Sequence, residues 1–117
     1  MEYFGDESGA APMLSRAAID RDQAAALLRA IIDNIGLWLT NHVVHGDLSP
    51  YNILYWERRI VAIDFPQAVD SRINPNARML LIRDLENICG HFRRYGIEAD
   101  ASRIGNELWR RYRAAAL

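Results

Sequence analysis

The sequence predicts an α+β fold, mostly helical, with a small β element in the middle of the chain. Three observations support this. Apolar residues recur at helical spacing in three separate stretches, two short β-rich runs sit back to back near the centre, and the 117 residues suit one domain.

The elements follow in order. Residues 5–19 contain Gly5, Gly9, Pro12 and several small side chains and read as a loop. A first helix follows, in which Ala24, Leu27, Leu28, Ile31, Ile32, Ile35, Trp38 and Leu39 form one apolar stripe. Asp20 is its expected N-cap, with Gln23 three residues on to complete a capping box. Val43-Val44 is no more than a strand fragment. Ile53–Trp56 and Ile60–Ile63, separated by Glu57-Arg58-Arg59, read as a hairpin. Pro75 suits the first turn of a second helix capped by Asn74 and carrying Leu80, Leu81, Leu85, Ile88 and Phe92. Gly96 is placed to end it. A third helix starts near Asp100 and packs Ile104, Leu108, Trp109 and Tyr112.

Bulk properties narrow the function classes. The formal net charge of −1 gives no global field for nucleic acid or anionic membrane. Arg110, Arg111 and Arg113 read as a solvated helix face. Cys89 is the only cysteine, placed among helical apolar residues, which suits a buried, reduced thiol. No apolar stretch approaches the ~20 residues that span a bilayer, and the acidic start Met1–Asp6 is unlike a signal peptide. A cytoplasmic location without membrane association is expected.

The chemistry concentrates in His45-Gly46-Asp47-Leu48-Ser49-Pro50-Tyr51-Asn52-Ile53-Leu54, followed by Ile63-Asp64-Phe65. The catalytic loop of protein kinases runs H-R-D-L-x-x-x-N, and a metal-binding aspartate opens the next loop. Asp47 and Asn52 have that spacing, and Asp64 comes twelve residues later, at the end of the second hairpin strand. Phosphoryl transfer needs a carboxylate beside the acceptor oxygen and metal ligands beside the phosphates. Asp47 is therefore the expected base, with Asn52 and Asp64 as hard oxygen ligands for Mg²⁺ (or Mn²⁺). Both side chains are expected to face one cleft, with Asp47 on its far side. His45 is expected to brace the loop. Asp84 sits in the middle of the second helix, between Ile82 and Leu85, where an unpaired charge is costly. Kinases generally place such an aspartate beneath the catalytic loop, so Asp84 is expected to accept hydrogen bonds from the His45-Gly46 backbone. The opposing expectation is an exposed Asp84 paired with Arg83 or Asn87.

Several further strings make the sequence similar to the RIO family of atypical protein kinases: Met1–Gly5, Ala11-Pro12, His45–Tyr55, Ile63–Val69, Asn74–Ala77, Arg83–Ile88 and Phe92–Gly96. The resemblance covers about residues 1–97 and implies a protein-kinase-like C-terminal lobe whose hairpin carries the catalytic and metal-binding loops. It divides the chain into a hinge and loop (1–19), a catalytic core (20–97) and a C-terminal helix (98–117). It implies ATP as substrate, Asp47 as catalytic, and Asn52 and Asp64 as metal ligands. Asp64 also matches a position discussed in some members as a phosphate acceptor. Met1–Phe4 match the hinge, which puts Glu2 and Phe4 at the adenine site beside Leu54 and Ile63. No upstream residues match an N-lobe, so the isolated chain is expected to be inactive without one. An apolar face of Leu54, Ile63, Tyr3 and Phe4 is then expected to meet a separate N-lobe or a second copy. Family members are associated with serine autophosphorylation, ATP hydrolysis and small-subunit ribosome maturation, so the resemblance implies a kinase or ATPase acting on a protein substrate or on its own serine.

Two features agree with that family. Gly46 stands where most protein kinases carry an arginine, and about ten residues between Asp64 and Pro75 are too few for a long activation segment. The alternatives are a small-molecule phosphotransferase of the aminoglycoside or choline kinase type, which shares the His-x-Asp-x-x-x-x-Asn loop, and a non-catalytic kinase-fold interaction module.

Overall fold

A computed structural model describes residues 5–6, 9–10, 19–50, 53–56, 59–62 and 68–117. Helix α1 (Arg21–Thr40) begins where its cap dictates: the Asp20 carboxylate accepts the Gln23 N–H at 2.8 Å, and the Gln23 side chain accepts the Asp20 N–H at 3.0 Å. Two of the orphan donors of the first turn are thus satisfied reciprocally. Its stripe of Ala24, Leu27, Leu28, Ile31, Ile35 and Leu39 is buried. His42, at φ 66°, turns the chain out of the helix into strand β3 (Val43–Val44).

Helix α2 (Ala77–Phe92) buries Leu81, Leu85, Ile88, Cys89 and Phe92 against α1, as its periodicity predicts. It starts two residues later than the sequence suggests. Asn74 Oδ1 accepts the Asn76 N–H at 2.8 Å, closing a side-chain turn around Pro75, and Asn76 is the N-cap. Beyond Phe92 the chain tightens into a 3₁₀ turn (Arg93–Tyr95) and stops at Gly96, whose φ of 75° suits glycine. Helix α3 (Ala101–Arg113) is capped by Asp100, which accepts the Arg103 N–H at 3.1 Å. Leu108 reaches the core, while Arg110, Arg111 and Arg113 lie exposed in the last turn, where cations complement the helix dipole.

Strands β4 (Ile53–Trp56) and β5 (Arg59–Ala62) form the expected antiparallel hairpin, registered Ile53 to Ala62 and Trp56 to Arg59. The second strand begins one residue early, because a polar residue at a strand end loses little. Two further pairs were not anticipated. Gly5–Asp6 (β1) pairs with Gly9–Ala10 (β2) within the stretch read as loop, and β3 pairs with Val69–Asp70 (β6). Two-residue strands are too short to leave a periodic signature. One core joins α1, α2 and α3 to Val44, Leu48 and Ile53. Each large apolar side chain fully buried there contributes about 1.5–3 kcal/mol. No helix among the described residues is long and apolar enough to cross a membrane.

Candidate active site

The segment His45–Leu48 crosses directly over helix α2, and three side chains from that helix hold it. Asp84 is 2% exposed and accepts the Gly46 N–H at 2.9 Å on Oδ2 and the Leu48 N–H at 3.0 Å on Oδ1. Arg83 donates to the Gly46 carbonyl, and Asn87 Nδ2 donates to the Leu48 carbonyl at 3.2 Å. All four backbone polar groups of Gly46 and Leu48 are thereby paired with α2. The reading of Asp84 as a solvent-facing residue paired with Arg83 or Asn87 is excluded by its burial.

Local geometry explains the residue types. Gly46 sits at φ 87°, a left-handed conformation in which an arginine would be strained. This is a physical reason for glycine where most kinases carry arginine. His45 is 1% exposed, and its Nδ1 accepts the Asp47 N–H at 3.1 Å. Its ring lies 6.2 Å, centroid to centroid, from Trp38 of α1. Leu48 is fully buried. With His45 and Leu48 inward and both flanking peptides fixed, Asp47 is left as the exposed side chain of the turn. The loop therefore holds one carboxylate at the surface on a rigid support. Such a group can orient an acceptor and take its proton.

Burial pushes the Asp84 carboxyl above the usual carboxylate range; the Gly46 and Leu48 amides oppose that shift, followed by the charges of His45 and Arg83. Desolvation is the larger effect.

The other site candidates fall differently. Asn52, Asp64, Glu2, Phe4 and Ile63 lie outside the described residues, and Leu54 is described through its strand backbone alone. The expectations that Asn52 and Asp64 share a cleft, and that Leu54, Ile63, Tyr3 and Phe4 leave an apolar face, therefore also lie outside them. Among the described residues no cluster of three His, Cys, Asp or Glu side chains is arranged to hold a metal ion. Sequence reasoning missed the loop-fastening roles of Arg83 and Asn87. The sequence places Arg83, Asp84 and Asn87 at i, i+1 and i+4, on one side of the helix.

Comparison with known proteins agrees with this architecture. The RIO domain family model matches residues 1–104. A RIO-type serine/threonine-protein kinase Rio1 of Thermoplasma acidophilum is 38% identical over 104 residues, covering 89% of this chain and 53% of that protein. The Rio1 kinase of Haloferax volcanii is 34% identical, covering 89% of this chain and 35% of its own length. A crystal structure of the Rio2 kinase from Chaetomium thermophilum, in an ADP/Mg²⁺-phosphoaspartate complex, superposes with a TM-score of 0.67 at 26% identity. It covers 80% of this chain and 33% of the Rio2 chain. The chain thus spans about half or less of these relatives. With the loop, its supporting helix and the first helix all inside the matched region, the chain belongs to the RIO family.

Proposed function

We propose that this chain is the catalytic lobe of a RIO-type serine/threonine kinase, transferring the γ-phosphoryl group of ATP to a hydroxyl acceptor. The observation that carries the reading is the Asp47 turn, fixed on both sides by Asp84, Arg83 and Asn87 and leaving the Asp47 carboxylate exposed. Pre-organised positioning is most of what a protein contributes to phosphoryl transfer. Asp47 orients the acceptor hydroxyl and takes its proton as the new phosphate ester forms. Asn52 and Asp64 are the proposed Mg²⁺ ligands, supported by their spacing from Asp47 and by the Mg²⁺ in the Rio2 complex. Bound Mg²⁺ neutralises phosphate charge and orients the leaving diphosphate. Glu2, Phe4, Leu54 and Ile63 are proposed for the adenine side, and the cytoplasm as the location. The RIO domain match favours a protein acceptor over a small-molecule one.

The phosphoaspartate of the Rio2 neighbour raises a second chemistry, with Asp64 itself as acceptor, as in an ATPase cycle. The stability of the phospho-linkage separates the two, since an acyl phosphate is cleaved by hydroxylamine and a serine phosphate is not.

The test uses this chain in place of the matched segment of the Thermoplasma relative, with the remainder of that relative retained and labelled ATP supplied. Asp47→Ala should lower transfer at least about 100-fold, the scale of a lost general base, while Mg·ATP binding persists. Transfer that survives Asp47→Ala would overturn the assignment. Robust transfer by the unfused 117 residues would show that an added N-lobe is unnecessary.

A further inference from the structure

The outer side of the α2–α3 pair carries a groove of about 530 Å³ lined by Arg78, Met79, Ile82, Arg83, Glu86 and Asn106. Met79 and Ile82 are its apolar lining residues, and Met79 is 62% exposed. Ile73, just before α2, is 81% exposed. Such side chains stay in water at a cost unless a partner covers them.

The two arginines are held by neutral acceptors. Arg78 Nε donates to Asn106 Oδ1 at 3.0 Å, and its Nη2 donates to the same oxygen. Arg83 donates to the Gly46 carbonyl. Among the described residues neither guanidinium forms an ion pair, so each is oriented while its charge remains available to a ligand. Glu86 is the one carboxylate in the lining, against two cations. Arg83 also joins the groove to the turn, since Gly46 immediately precedes Asp47.

We infer that this groove docks an acidic, partly apolar peptide segment of the protein substrate and leads its acceptor hydroxyl toward Asp47. The inference rests on the kinase reading and deepens it. Met79 and Ile82 beside two preset guanidiniums suit carboxylates flanking a leucine or similar side chain, because guanidinium pairs with carboxylate in two parallel hydrogen bonds. Nucleic acid is the less favoured occupant. The lining offers no aromatic ring for base stacking, and the chain as a whole carries a formal net charge of −1.

Fluorescence anisotropy on the intact chain tests the assignment with three probes. These are a labelled peptide with one serine among aspartates and leucines, the same peptide with Asn for each Asp, and a single-stranded oligouridylate. The acidic peptide should bind, weaken with added salt, and lose about tenfold in affinity on Arg78→Glu or on exchange of Asp for Asn. Met79→Asp should weaken it independently, which guards against one variant acting through misfolding. No binding of the acidic peptide, or binding indifferent to Arg78→Glu and Met79→Asp, would overturn the inference. Tighter binding of the oligouridylate that Arg78→Glu removes would overturn it in favour of a nucleic-acid face. Mg·ATP binding, measured separately, reports on the kinase reading: its failure with peptide binding intact would remove that reading and leave the groove standing.

Discussion

At the residue scale, the clearest link between sequence and structure runs through Asp84. An acid between Ile82 and Leu85 in the middle of a helix demands a partner if it is buried, and that demand was legible before any coordinates. Which backbone groups satisfy it was less so. The structure supplies two amides, from Gly46 and Leu48, and adds Arg83 and Asn87 on the flanking carbonyls. Those two were hidden because arginine and asparagine on a helix usually face water. Asp84→Asn isolates the carboxylate's part. It removes the desolvation cost that raises the Asp84 pKa, yet leaves one loop amide facing an NH₂ donor. An unsatisfied buried donor costs about 1–3 kcal/mol, so the net effect should be destabilising. Urea unfolding should show the loss, and amide exchange should quicken selectively at Gly46 and Leu48. Unchanged stability and exchange would mean that the two amides do not need both carboxylate oxygens.

At the element scale, helices declared themselves through period and caps, while short strands did not. Asp20 with Gln23 caps α1 as the sequence says, and α3 starts beside Asp100 as expected, with Asp100 as its cap. The start of α2 was misplaced because Asn74 and Asn76 are both turn formers around Pro75, and only geometry chooses between them. Strands β3 and β6 are two residues each and exist by pairing with one another. The contact between α2 and α3 was equally invisible, and it turns on Gly105. A Cβ there would come within 2.7 Å of Ile82 Cγ1 and 3.2 Å of Leu85 Cδ1. Gly105→Ala therefore sets two effects against each other. Helix propensity gains about 1 kcal/mol, and overpacking costs about 1–3 kcal/mol. Leu85 is fully buried, and the Ile82 Cα already stands at contact distance, 3.5 Å from the added Cβ, so the side chains have little room to yield and the cost should prevail. The variant should melt lower than the parent, whereas a rise in Tm would show that Ile82 has room to turn away.

At the scale of the whole molecule, segments far apart in sequence must be held as one body for the Asp47 turn to stay rigid. The shared apolar core does most of this, but it is non-directional and tolerates sliding. One polar junction fixes the arrangement. The Tyr112 hydroxyl, near the end of α3, lies 2.8 Å from His42 Nδ1 and 2.7 Å from Ser71 Oγ. His42 is the residue that turns α1 into β3, and Ser71 follows β6, with its N–H donating to the His42 carbonyl at 3.0 Å. Three elements therefore meet at one hydroxyl, and His42 lies five residues before Asp47. The sequence offered Tyr112 as a packing residue of α3; its polar end could not be assigned, because its partners are 41 and 70 positions away. Tyr112→Phe keeps the ring and removes only the junction. His42 and Ser71 each lose a partner in a partly buried site, which should cost about 1–3 kcal/mol and lower Tm by several degrees. Hydrogen exchange should accelerate at Val43 and Val44 ahead of the α1–α2 core, because the ladder partner of β3 is β6 and both strands adjoin this corner. A Tm equal to that of the parent, with Val43 and Val44 still protected, would show that the core fixes this corner without the hydroxyl.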